Sequence, residues 1–176
     1  MNNNRFVFTV IGIVVAAVLL MLSTNAQNNV PRADISVVPT STFTPTPRPN
    51  LPPDCSQAVS QPDAVWPPDH EFVSIATAGV MDPDGEPVVL TVTGIWQDEP
   101  VGVIGPDGKG VGTAAAEVRA ERDGTGDGRV YHIFFEARDD FGGTCSGEVT
   151  VGVSKSPDGE ATPVDGGALY DSTLGS

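Results

Sequence analysis

Between residues 71 and 153 apolar and polar positions alternate with a period of two, as strands half-buried against a core do. In "RVYHIFFEARD" (129–139), Tyr131, Ile133, Phe135 and Ala137 share one face and Val130, His132, Phe134 and Glu136 the other. In "PVVLTVTGIWQ" (87–97), Val88, Leu90 and Val92 oppose Thr91 and Thr93. Gly94 then marks a bulge that would re-aim Ile95 or Trp96. In "TCSGEVTVGV" (144–153), Cys145, Val149, Val151 and Val153 have one parity, which turns Cys145 toward the core. "EFVSIATAGV" (71–80) is a further strand, ended by the turn signal "DPDG". "AAAEVRAER" (114–122) has residues that favour helix, but glycine-rich turns close it on both sides, so it too is expected as a strand, with Val118 and Ala120 inward. Short strands at 55–60 and 101–104 bring the number to about seven. The pattern predicts an all-β antiparallel sandwich, and the lack of helical crossovers argues against a parallel α/β sheet.

The flanks have no such period. Residues 6–22 are apolar and unbroken by charge, after the polar "MNNNR". This is a signal peptide, cleaved after Ala26 in "TNA", or an uncleaved signal-anchor helix. As a helix the run would span roughly 25 Å, slightly short of a hydrocarbon core of about 30 Å. In either case the rest of the chain is expected outside the cytoplasm: on the extracellular side of the membrane, or secreted. Residues 27–54 are rich in Pro, Thr and Ser and read as a disordered, extended stalk whose Thr-Pro alternation resembles an O-glycosylated linker. Residues 154–176 read as a disordered tail. The folded domain is thus expected at 55–153.

Charge narrows the partners. The net charge is −14 and the pI about 4.2, which excludes a nucleic-acid face and argues against an anionic lipid surface. Contact with a membrane would come through the N-terminal helix if it is not removed. Gly (20) and Pro (16) together outnumber the charged residues, 18% of the chain, which suits a turn-rich β-protein. Cys55 and Cys145, near the two ends of the domain and in an oxidising compartment, are expected to pair. They and the two histidines have no zinc-ligand spacing.

Three stretches carry a family resemblance: "VWPPDHEFV" (65–73), "DPDGEPVVLTVTGIWQDEP" (82–100) and "RAERDGTGDGRVYHIFFEARDDFGGTC" (119–145). Together they resemble an immunoglobulin-like module of bacterial secreted and surface proteins, related in style to PKD, HYR and cadherin-like repeats. The resemblance covers about 55–153 and includes Trp66, Pro67, Pro68 and His70 of the "WPP-x-H" pattern. It implies an immunoglobulin-like β-sandwich used for spacing, adhesion or interaction, with no catalytic activity of its own. Tyr131, at the start of its strand, suits a tyrosine corner.

The candidate chemistry is sparse. "DGTGDG" (123–128) is followed by a strand, whereas a phosphate cradle needs a helix N-terminus, so these glycines are expected only to turn the chain. Asp82, Asp84 and Glu86 alternate across a turn, but Pro87 and Thr93 break the EF-hand pattern. A cadherin-like Ca²⁺ site would draw on Glu71, Asp98, Glu99, Glu121, Asp139 and Asp140; the Ca²⁺ candidates retained are Asp82, Asp84, Glu121, Asp139 and Asp140. No other cofactor is expected. His70 is expected to hold a loop, and His132 to face solvent or an edge contact. Trp66 and Trp96 are expected in the core, or else as sugar-stacking platforms, with Trp96 and Phe134 on a sheet face. No serine sits in a nucleophile elbow, and no catalytic residue is assigned. The expected function is a non-enzymatic exported or anchored module that meets an extracellular protein or glycan. The alternative is a carbohydrate-binding accessory domain with a structural Ca²⁺ site.

Overall fold

The computed structural model describes residues 47–156 and 162–175. The expected N-terminal helix, its cleavage site and most of the stalk lie outside these residues. Among the described residues no helix is long and apolar enough to cross a membrane.

Among the described residues nine strands form two sheets: β1 (Val59–Gln61), β2 (Ala64–Val65), β3 (Phe72–Ala78), β4 (Val89–Gln97), β5 (Gly108–Lys109), β6 (Ala115–Arg119), β7 (Arg129–Arg138), β8 (Thr144–Val153) and β9 (Tyr170–Asp171). The first sheet has the order β1-β3-β6-β5 and the second β2-β8-β7-β4-β9. All neighbours are antiparallel except β2 and β8, which run parallel. The chain therefore passes from one sheet at β1 to the other at β2. The expected strand at 101–104 is instead a loop, and the short strand follows at β5.

The alternation read from sequence builds the core. Ile75, Ala116 and Val118 from the first sheet meet Val92, Ile95, Tyr131, Ile133, Phe135, Val149, Val151 and Val153 from the second. Burying each of the larger aliphatic or aromatic side chains contributes about 1.5–3 kcal/mol. The β4–β7 register slips between Val92 and Gly94, and the slip turns Ile95 inward. Cys55 and Cys145 pack against this core and form a disulfide with Cα atoms 6.0 Å apart.

The C-terminal segment departs from expectation. Residues 162–175, read as part of a disordered tail, supply β9 along the free edge of β4. The carbonyl of Ser172 accepts from the amides of Asp107 (2.8 Å) and Gly108 (2.7 Å), and its own amide donates to Ile95 O. Ser172 is fully buried. This segment thus joins β4 of one sheet to the start of β5 in the other. Its pairing is through backbone groups, which leave no hydrophobic period in the sequence.

Candidate functional site

β7 runs the length of the sandwich, and its ten residues separate two polar clusters by roughly 30 Å. At its start Arg129 is almost fully buried. Its guanidinium donates to Asp107 Oδ2 (2.8 Å), Glu99 Oε2 (3.1 Å), the Pro100 carbonyl (3.2 Å) and the Tyr131 hydroxyl (3.2 Å). Asp107 is fully buried and also accepts from Gln97 Nε2 and the Gly102 amide. The Tyr131 hydroxyl donates to Arg119 O at 2.8 Å. Burial, ahead of any neighbouring charge, pushes that hydroxyl well above its usual range, so it remains a neutral donor. The run "DGTGDG" delivers Arg129 to this place. Gly128 has φ +110°, and a Cβ there would stand 2.9 Å from Pro163 Cβ. These glycines turn the chain and admit the C-terminal segment.

Glu121, one of the Ca²⁺ candidates, lies at this same end. It faces His70 Nδ1 (3.3 Å), while the His70 carbonyl accepts from Arg119. His70 has φ 68°, so its loop is held in a conformation that non-glycine residues seldom adopt. Its ring thus faces a carboxylate at the end of the sandwich opposite Asp82 and Asp139.

On the outer face of the second sheet Trp96 is 36% exposed, and Trp66, in the loop after β2, is 43% exposed. Neither tryptophan is in the core. Ile95 and Gln97 take the inward places of β4, and Gln97 is buried because its amide serves Asp107. Trp96 and Phe134 both lie over Gly94, where an added Cβ would be 3.4 Å from Trp96 Nε1 and 3.7 Å from Phe134 Cδ2. His132 shares this face but is only 5% exposed. Of the two places expected for His132, solvent or an edge contact, the ring does not face solvent, because the C-terminal segment covers it. Its Nδ1 meets Glu148 and its Nε2 meets Asp165 at 2.9 Å.

The second polar cluster lies where residues 47–54 join the sandwich. Asp82, Glu86 and Asp139 each bring a carboxylate oxygen within 4.8 Å of the others. Asp82 Oδ1 accepts from the amides of Asp84 (2.7 Å) and Glu86 (3.5 Å). Asp139 is buried in its turn, accepting from the amides of Phe141 and Gly143 and from Asn50 Nδ2 (2.9 Å). The Asn50 bond, more than any other contact, lowers the Asp139 pKa. Asp82 Oδ2 and Glu86 Oε2 are shut off from solvent with no hydrogen-bond donor. Desolvation first, then Asp82, Asp139, Asp84 and Asp140, raise the Glu86 pKa. Asp84 is engaged elsewhere, by Arg48 (3.3 Å) and the Leu51 amide (2.7 Å), and Asp140 is exposed.

The structure therefore joins Asp82 and Asp139, sets Asp84 and Asp140 beside them, and leaves Glu121 at the opposite end. The remaining acids of the cadherin-like set also divide, since Asp98 and Glu99 lie with Arg129. Sequence reading missed Asn50, the buried pair Asp107 and Arg129, and the role of Glu86 beyond its turn. The one available signal was the charge repeat in "DPDGE". No family model, curated protein or solved structure matches this chain.

Proposed function

We propose that the chain is a non-enzymatic, exported immunoglobulin-like module that presents an extracellular interaction surface. The observation that carries this reading is the strand order. The orders β1-β3-β6-β5 and β8-β7-β4 are those expected if these strands correspond to A-B-E-D and G-F-C of such a fold, which supports the reading. The Tyr131 hydroxyl bond to Arg119 O has the form of a tyrosine corner. The residues with chemical potential also favour a scaffold: His70, Asp107, Arg129 and His132 are engaged in contacts that hold loops and the C-terminal segment. The disulfide and the apolar 6–22 run support export.

A second reading, a glycan-binding accessory domain, is favoured by one observation: Trp96 is half-open over Gly94 beside Phe134. One experiment separates the two. The chain is recovered from intact cells that express it and titrated with soluble xylan, cello- and chito-oligosaccharides while tryptophan emission is followed. The first reading expects a surface-accessible product with its cystine intact and emission that does not move. Reduced thiols in a cytoplasmic product would overturn it. A saturable shift lost in Trp96→Ala would replace it with the second.

A further inference from the structure

We propose that the open edge of β8 takes an extended, basic segment of a partner protein as an added strand, which rests on the reading of the chain as an interaction module and names the chemistry of what it meets. β7 pairs with all ten residues of β8, but on the other side β2 pairs only with Gly152 and Val153. Among the described residues no strand lies along 144–151 on that side. The amides of Gly152 and Ser154 donate across it to Asp63 O and Val65 O, both at 3.2 Å. Backbone groups of every second residue in a strand point the same way, so those of Thr144, Ser146, Glu148 and Thr150 face this open side as well. Thr150 O is taken by Ser60 Oγ at 2.6 Å, which ends the free run. Thr144, Ser146 and Glu148 are left to offer N–H and C=O groups to an incoming strand. Such a ladder recognises peptide backbone.

This edge also lacks the usual defences. No Lys or Pro stands in 144–151, and the register with β7 runs through all ten residues without a bulge. The edge of β4 is closed by β9, and β1, β2 and β5 are only two or three residues long.

Charge decides which peptide fits. An open cleft of about 1060 Å³ lies beside the edge, between residues 58–63 and 148–150. Its charged residues are Asp63 and Glu148, with no Lys or Arg. Glu148 meets His132, yet its side chain stays 40% exposed. Glu136, opposite Ser146 on β7, is exposed on the same outer face as Glu148, while Arg138 stands at the far end of the run, opposite Thr144. Lys or Arg at the outward positions of a guest strand would therefore find opposite charges. Its alternate side chains would turn toward Ala58 and Val59 in the cleft, which suits small apolar residues. A second copy fits poorly: pairing two β8 edges would bring together Glu148 from each and two chains of net charge −14.

The test titrates the full chain, with its cystine intact, against acetyl-Lys-Val-Lys-Val-Lys-amide. Calorimetry should show one saturable site. The Glu-Val counterpart, or the same basic peptide N-methylated at its valine amides, should bind about tenfold more weakly or not at all. Ser146→Pro removes an edge amide that β7 does not use, so it should keep the parent's melting temperature and lose the binding. Amide exchange read by NMR on the unsubstituted protein needs no variant: the amides of Ser146 and Glu148 should exchange fast alone and slow with the peptide. Absence of saturable binding, equal binding of the acidic or N-methylated peptide, or slowing confined to other strands would each overturn the site. So would slow exchange at Ser146 and Glu148 without peptide, which would mean an edge already covered, by a second copy if sedimentation shows a dimer and by this chain's own residues if it shows a monomer. Failure here with a surface-accessible, oxidised product would leave the module reading standing, whereas peptide binding by a reduced cytoplasmic product would sink that reading and keep the edge.

Discussion

At the scale of single residues, this protein places its charges where burial makes them consequential. Arg129 and Asp107 are the costliest pair, since each is desolvated almost completely. Their attraction and the added bonds from Gln97, Gly102 and Glu99 offset that cost only while both partners stand. Arg129→Leu keeps much of the bulk and removes the charge, leaving Asp107 buried beside the more distant Arg119. It should cost about 3–5 kcal/mol in denaturant titrations and make residues 98–107 more sensitive to protease. Glu86 and Asp139 give stability opposite pH slopes. The Glu86 pKa is raised above 4.5, so its folded form holds a proton more tightly than the unfolded chain does. Its contribution is complete below about pH 4.5 and disappears as pH rises through the folded value. The Asp139 pKa is lowered below 3.8, and its contribution disappears as pH falls through the folded value. Glu86→Gln should therefore abolish the part of the stability lost on raising the pH above about 4.5, as thermal melts across that range would record.

At the scale of elements, the strands were legible where one face meets the core and the other meets water. The distal half of β7 keeps that alternation, with Phe135 and Ala137 buried and Glu136 and Arg138 exposed. Its first five residues are all buried. Val130 and His132 lose solvent because residues 162–165 lie over them, and no local pattern in β7 encodes that cover. β5 and β9 are two residues each and were illegible for a related reason: a strand so short has no period. β9 is nevertheless consequential. A variant ending at residue 161 would lose the Ser172 bonds to Asp107, Gly108 and Ile95 and the Leu169 bond to Gln97. At about 0.5–1.5 kcal/mol each, their loss should lower stability by about 2–6 kcal/mol and bare the β4 edge to association. Equilibrium unfolding and sedimentation would measure the two effects.

At the scale of the whole molecule, two sheets share one core, a cystine joins residues 90 apart, and a polar cluster occupies each end. In the chain-entropy model a loop of that length stabilises by about 4–5 kcal/mol, a large share of the stability of a domain this size. The net charge of −14 is distributed unevenly in its consequences. At one end Arg129 and Arg119 neutralise the buried acids, while at the other Arg48 serves Asp84 and the orphaned oxygens of Asp82 and Glu86 are left to one another. By itself the sequence determined the all-β class, the parity of Tyr131, Ile133 and Phe135, the bulge at Gly94 and the inward turn of Cys145. Each of these follows from a period of two or from the steric freedom of glycine, and both are local. Only the tertiary structure decided that Trp96 faces outward, that His132 is covered, that Glu121 parts from Asp82 and Asp139, and that the C-terminal residues close an edge. Those outcomes depend on which distant segments meet, and alternation along a chain specifies the face a side chain takes without specifying what lies against it.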